Sequence, residues 1–218
     1  VQPLRIRAHL RNGYAAKDPW SPAIDGILAA VAMRRKLGDE YISSAAQPSK
    51  LQPIEGLPLE VCRWGDLWWY AASSPIIVGF AGREKKAYHR RFDDQYERHL
   101  VDGIRRVMTA AGPYKNTRLH DTRVICRALE WHVIGDEASI RDLLSDVEQI
   151  GGRRGIGYGW VTEWQISAGD PRIARGHRPL PVDIQESQDG MVMPWGIVPP
   201  GRWRPIECWM PEERHAEA

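Results

Sequence analysis

Cysteine and phenylalanine are scarce in this chain of 218 residues, which has three of the first and two of the second. Cys62, Cys126 and Cys208 are odd in number, far apart and without C-x-x-C spacing, which excludes a disulfide framework and a zinc knuckle and predicts free, buried thiols. A run of about 18 apolar residues is also missing, so no membrane-spanning helix and no membrane partner are expected. The opening "VQPLRIRAHL" lacks the charged, apolar and small-residue zones of a signal peptide, and the expectation is a soluble, cytoplasmic protein. Strong charge of one sign is lacking too. A formal net charge of +2 and a pI near 8.5 do not by themselves argue for a polyanionic partner, so the local distribution of charge must decide.

What is present is enough apolar residue, 43%, to bury a sizeable core, and ten tryptophans, which suit both cores and interfaces. In "LRIRAHLR", Leu4, Ile6, Ala8 and Leu10 alternate with Arg5, Arg7, His9 and Arg11, the period of a strand with one covered and one basic face. "SPAIDGILAAVAMRRKLG" predicts a helix capped by Ser21, with Pro22 in its first turn, a buried stripe of Ile24, Ile27, Leu28 and Val31, and Gly38 as its stop. Residues 41–59 read as a loop, and "VCRWGDLWWYAASSPIIVGFAG" as two or three short strands. The basic stretch that follows predicts an extended hairpin running into a short helix near Leu100 to Met108. "RVICRALEWHVIG" reads as one long strand. "DEASIRDLLSDVEQIG" predicts a helix capped by Asp136 and ended by Gly151, and "WVTEWQI" a strand with Trp160, Thr162, Trp164 and Ile166 on one face. Half of the 16 prolines fall beyond Gly169, which predicts extended pieces and turns there.

The order of elements predicts an α+β, ferredoxin-like (RRM-like) βαββαβ domain over residues 1–168, two helices packed on one face of an antiparallel sheet. A basic hairpin, or thumb, is inserted at about 83–120. Residues 169–218 form a Pro- and Trp-rich extended C-terminal appendage.

The most informative stretch is "GGRRGIGYGW", residues 151–160. A dinucleotide or phosphate-binding loop needs strand, glycines, then helix, whereas here a helix precedes the glycines, and no "GK[ST]" is present. Nucleotide cofactors are therefore not expected, nor is any other cofactor. Two readings compete. One is a helix C-cap with turns into the last strand, for which two glycines suffice. The other accounts for the excess over two: Gly152, Gly155, Gly157 and Gly159 leave amides uncovered for an RNA backbone, Arg153 and Arg154 bind its phosphates, and Tyr158 and Trp160 offer faces for an unpaired base.

With this loop behind its second helix, the chain resembles the RAMP superfamily of CRISPR RNA-binding proteins. The "LRIRAHL" strand and "SPAIDGILAAVA" helix resemble the subunit that caps the 5′ end of the guide RNA, most of all in type IV effectors. The resemblance implies a non-catalytic subunit that grips the repeat-derived 5′ handle of the CRISPR RNA and docks on the backbone and large subunits. Target DNA would be met through the assembled complex, read by the guide's base pairing. It also implies a thumb-like hairpin, whose best candidate is Lys85 to His99.

Three further groups carry open alternatives. Arg83, Lys85, Lys86, His89, Arg90 and Arg91 are either a solvated loop balanced by Asp93, Asp94 and Glu97 or an RNA-phosphate patch. Arg5 and Arg7, with His9, are either a solvent-facing side or an RNA platform on the open sheet. The scattered histidines show no catalytic or metal-binding spacing, so neither a metal nor catalysis is expected. Were the chain instead a metal-free endoribonuclease, His89 or His120 would be the residue to test. A generic RNA-binding module is the third alternative.

Overall fold

The computed structural model describes residues 1–38, 52–93, 108–112, 114–184, 190–201 and 203–217. The first strand, β1 (Gln2–Leu10), follows its alternation: Leu4, Ile6, Ala8 and Leu10 are buried, while Arg5, Arg7 and His9 keep partial exposure on the other face. It runs antiparallel to β8 (Ala128–Gly135) on one side and to β9 (Val161–Ala168) on the other. β5 (Ile76–Val78) pairs antiparallel with β8, and β13 (Arg214–Ala216) lies parallel to β5. The central sheet therefore has the order β13-β5-β8-β1-β9.

Helices α1 (Ile24–Leu37) and α2 (Glu137–Leu144) cover one face of this sheet. Ile24, Leu28, Ile140 and Leu144 pack with Leu4, Ile6, Leu129, Trp131 and Val133, each burial contributing roughly 1.5–3 kcal/mol. α1 starts two residues later than its sequence suggests: its N-cap is Ala23, without a side-chain cap, and Gly38 (φ 54°) ends it. α2 is capped as expected, Asp136 accepting from the Ser139 amide, but it closes at Leu144 and not at Gly151. Ser145 turns its hydroxyl back onto the Asp142 carbonyl at 2.6 Å, a bond that competes with the helix ladder. Val147 and Ile150 still reach the core, so their helical spacing is met by turns.

The βαββαβ expectation is overturned. Among the described residues, thirteen strands in four sheets accompany only three helices, and the chain is mostly β. The third helix, α3 (Pro171–Gly176), packs Ala174 against Ala71 and Ile134, on the sheet face that a two-helix layout leaves bare. The extra strands come from short aromatic and β-branched runs punctuated by Gly and Pro, each long enough to pair locally. β3 (Val61–Trp64) and β4 (Leu67–Tyr70) make a hairpin around Gly65 (φ 55°). The long strand expected over 123–135 is two: β7 (Thr117–Ile125) belongs to another sheet, and the chain turns at Cys126 and Arg127 before β8. The Arg127 amide donates to Val78 and its carbonyl accepts from Leu10, which holds that corner, and burial pushes the Cys126 thiol up to about 12.

The Pro-rich tail folds into β10 (Leu180–Pro181), β11 (Val192–Trp195) and β12 (Ile206–Trp209), in the order β10-β12-β11. Leu180, Ile197, Val198, Cys208 and Met210 share a second core with Trp69 of β4. Arg178 locks this unit to the body. Buried, it donates to the carbonyls of Tyr70, Ala72 and Ile197 and stands 3.7 Å from the buried Asp25 of α1. Burial pushes the Asp25 carboxyl up and the Arg178 guanidinium down, each against the pull of its partner.

Candidate nucleic-acid interface

The basic stretch forms β6 (Gly82–Arg90), paired along its whole length with β7, while β7 pairs on its other edge with β2 (Tyr14–Ala15). The register sorts its charges. Side chains alternate across a strand, so Glu84 and Lys86 share one face with their partners Arg123 and Asp121. That face neutralises itself: Arg123 Nη2 lies 2.8 Å and Lys86 Nζ 3.4 Å from the Glu84 carboxylate. Lys85, Ala87 and His89 fall on the opposite face with Thr122, His120 and Arg118. Lys85, His89, Arg118 and His120 are all exposed, and among the described residues none makes an ion pair or a side-chain hydrogen bond. At the root of this face Arg83 is paired to Glu213. Arg90 ends β6 with its side chain outside the described residues, Arg91 follows exposed, and the helix expected near Leu100 to Met108, save Met108 itself, and the acidic Asp94 and Glu97 lie outside them as well.

The glycine loop closes onto the root of this hairpin. The Gly152 amide donates to Ala15 of β2 at 2.8 Å, the Gly159 amide to Gly13 at 2.9 Å, and Arg153 Nε to Asp121 of β7 at 2.7 Å. Two basic segments remote in sequence thus meet in space. Arg153 itself adopts a left-handed conformation (φ 57°), after which Arg154–Ile156 form a single 3-10 turn. Gly151 and Gly159 also need the left-handed region, and a Cβ on Gly159 would stand 1.8 Å from the Ile150 carbonyl oxygen. Their reason is packing. Gly157 needs its φ of 87° but faces open space, Gly152 leaves ordinary room, and Gly155 has neither a positive φ nor a neighbour within 4 Å. Residues 152–156 are exposed, and the first amides of a 3-10 turn have no acceptor within it.

The loop's other residues divide sharply. Tyr158 does not offer its ring to solvent as expected: it is 6% exposed, with the Arg123 guanidinium 5.3 Å above the ring. Trp160 is 41% exposed, and Arg154 stands in solvent with no side-chain partner among the described residues.

Arg5 and Arg7 lie elsewhere, on the outer face of the central sheet. Arg7 donates from Nε and Nη2 to one oxygen of Glu130, at 3.0 and 2.7 Å, while Arg5 donates to Ser167 Oγ and stands 3.9 Å from the same carboxylate. His132 Nδ1 accepts the Asp170 amide, so its proton sits on Nε2, which faces Glu130 at 3.3 Å. Burial alone would raise the Glu130 carboxyl, but the hydrogen bonds from His132 and Arg7 and the charges of both arginines hold it below the usual range. These arginines are engaged inside the protein, which the alternation of β1 could not reveal.

The sequence reading missed Arg118 and Arg123: the apolar residues of "TRLHDTRVI", Leu119, Val124 and Ile125, do not alternate, and only the pairing with "GREKKAYHR" shows the strand. It also missed Gly13, whose Cβ would stand 2.1 Å from the Val124 carbonyl oxygen and whose own carbonyl anchors the loop. Among the described residues no cluster of His, Cys, Asp and Glu is placed to hold a metal, and no helix is long and apolar enough to cross a membrane.

Comparison with known families adds what geometry cannot. The class is that of the CRISPR-associated proteins: a family model described as CRISPR type IV associated protein Csf3 matches residues 2–210, nearly the whole chain. The chain belongs to the Csf3 family. No curated protein matches it in sequence.

Proposed function

We propose that this type IV CRISPR-associated protein is a non-catalytic RNA-binding subunit that caps the repeat-derived 5′ handle of the CRISPR RNA and docks on the backbone and large subunits of the effector. Target DNA then comes to it only through the assembled complex. The observation that carries this reading is the junction of the glycine loop with the root of the β6–β7 hairpin, which joins exposed Arg154 and the amides of Arg154 and Gly155 to a strand face bearing Lys85, His89, Arg118 and His120. Exposed cations without internal partners are what a phosphate backbone neutralises, releasing its counterions. Such contacts fix register and affinity without reading sequence, as a handle common to every guide requires.

The test is binding of a repeat-derived 5′-handle RNA by the purified chain. Binding without cleavage is expected, and Lys85→Ala with Arg118→Ala should weaken it about tenfold or more at moderate salt and lower the salt slope by about two. Failure to bind this RNA at low salt would overturn the reading.

One observation favours a second reading, a metal-free endoribonuclease. His89 and His120 share the exposed hairpin face on diagonal positions, a separation of roughly 7–8 Å between backbones that is compatible with an acid and a base on either side of a phosphodiester. A cleaved product that disappears in His89→Ala or His120→Ala would establish it in place of the capping role.

A further inference from the structure

Strict alternation along β9 would put Trp160 on the face of Trp164 and Ile166, which pack against the core. The pairing of β1 with β9 slips between His9 and Leu10, so that Leu10 meets Val161 and the inward face shifts by one residue. Val161 takes the buried place, and Trp160 is turned out with 41% of its surface in water. Of the ten tryptophans, only Trp64 is as exposed, and it stands at a hairpin turn beside Asp66.

The surroundings of Trp160 are built and cationic. Its carbonyl accepts the Arg11 amide at 3.0 Å, which places Arg11 beside it on the continuation of β1. On the other side it bridges Gln149, and Gln149 Nε2 holds the Arg154 carbonyl at 3.1 Å. Both arginine side chains are exposed, and among the described residues neither makes an ion pair or a hydrogen bond. Asp18, Glu148 and Glu163, the carboxylates nearest Arg11, Arg154 and Trp160 along the chain, are paired with neither arginine. Ile156, 51% exposed, adds apolar surface from the 3-10 turn.

We propose that Trp160, flanked by Arg11 and Arg154, is a subsite for one unpaired nucleotide of an RNA strand, its base lying on the indole and its phosphates on the two guanidiniums. This inference rests on the RNA-binding reading above and adds to it the state of the strand. An aromatic face open to solvent accepts any base as a stacking partner, but only one that is not already stacked inside a duplex. The guanidiniums on either side suit the phosphates that precede and follow such a base. An uncharged peptide would satisfy the indole but leave the two guanidiniums without anions.

The test compares a single-stranded 5′-handle RNA, the same RNA annealed to its complement, and a DNA strand of the same sequence, on the full chain. Trp160→Ala should weaken single-stranded RNA binding about 10- to 100-fold, Trp160→Phe should restore most of it, and the annealed form should bind equally to all three proteins. Arg11→Ala and Arg154→Ala should each lower the salt slope by about one. If Trp160→Ala binds the single strand as the parent does while Lys85→Ala with Arg118→Ala weakens it, the subsite is overturned and the RNA-binding reading survives. If the parent binds no RNA, both fall. Stacking and phosphate contacts do not read the 2′-hydroxyl, so the DNA strand should show a similar dependence on Trp160, and a loss seen for DNA but not for RNA would overturn the assignment to RNA. Because Trp160 is exposed, unchanged thermal unfolding of Trp160→Ala serves as the check that the variant is folded.

Discussion

Arg178 and Arg154 carry the same side chain into opposite settings. Arg178 is buried at the junction of the tail with the body, where three carbonyls and Asp25 surround it. Arg154 stands in solvent at the tip of the glycine loop with only its backbone held. A buried guanidinium is costly unless every partner is in place, so it fixes architecture. An exposed one contributes little to folding, which leaves it for a polyanion. The comparison separates charges that make this fold from charges that the fold displays.

The largest effect is expected from breaking the buried side. Arg178→Met should cost about 3–5 kcal/mol in urea unfolding, because Asp25 is left as an uncompensated buried charge and three carbonyls lose their donor. Asp25→Asn should cost clearly less, since Arg178 keeps its carbonyls. Arg154→Met should leave stability within about 0.5 kcal/mol. Equal losses for Arg178→Met and Arg154→Met would erase the distinction.

The two sides were not equally legible in the sequence. Local patterns gave β1, both long helices and the Asp136 cap, because each depends on neighbours within a turn or a strand. The glycine loop and the basic stretch were visible as composition. Their junction was not, since it runs through β2, a two-residue strand too short to show periodicity. The sorting of Lys85 from Lys86 depends on the register with β7, which a single strand does not encode. Arg178 was invisible because its partners are carbonyls of distant residues, and backbone atoms leave no trace in residue identity. The fold class failed for a related reason. Element order in the first 168 residues took no account of α3 against the open sheet face or of β13 extending the sheet edge.

Within the glycine loop the same contrast can be drawn between two glycines. Gly159→Ala places a methyl 1.8 Å from the Ile150 carbonyl oxygen at a φ of 71°, and the backbone must move to admit it. A loss of roughly 3 kcal/mol is expected, read as a lowered denaturation midpoint. Gly155→Ala meets nothing within 4 Å and has an ordinary φ, so stability should be unchanged or slightly raised. On the RNA-binding reading its effect should show instead in affinity for the handle, as a methyl group standing where the strand approaches the loop.

The smallest effect comes from titrating the buried side. His177 lies next to Arg178 in sequence, 4% exposed, its Nε2 without a partner. Burial first, then the charges of Arg214 and His132, lower it from 6.5 to about 4. Above 6.5 the ring is neutral both folded and unfolded, so it makes no difference to stability. Between 6.5 and 4 the unfolded chain binds a proton that the folded chain refuses, so stability is lost as the pH falls and stops falling below about 4. The loss should reach the order of 2 kcal/mol, about 5 °C in melting temperature, and it should begin before Glu130, whose carboxyl is held low, starts to protonate. His177→Gln should flatten melting temperature against pH in the upper part of this window. A slope unchanged in His177→Gln would overturn the role assigned to this buried ring.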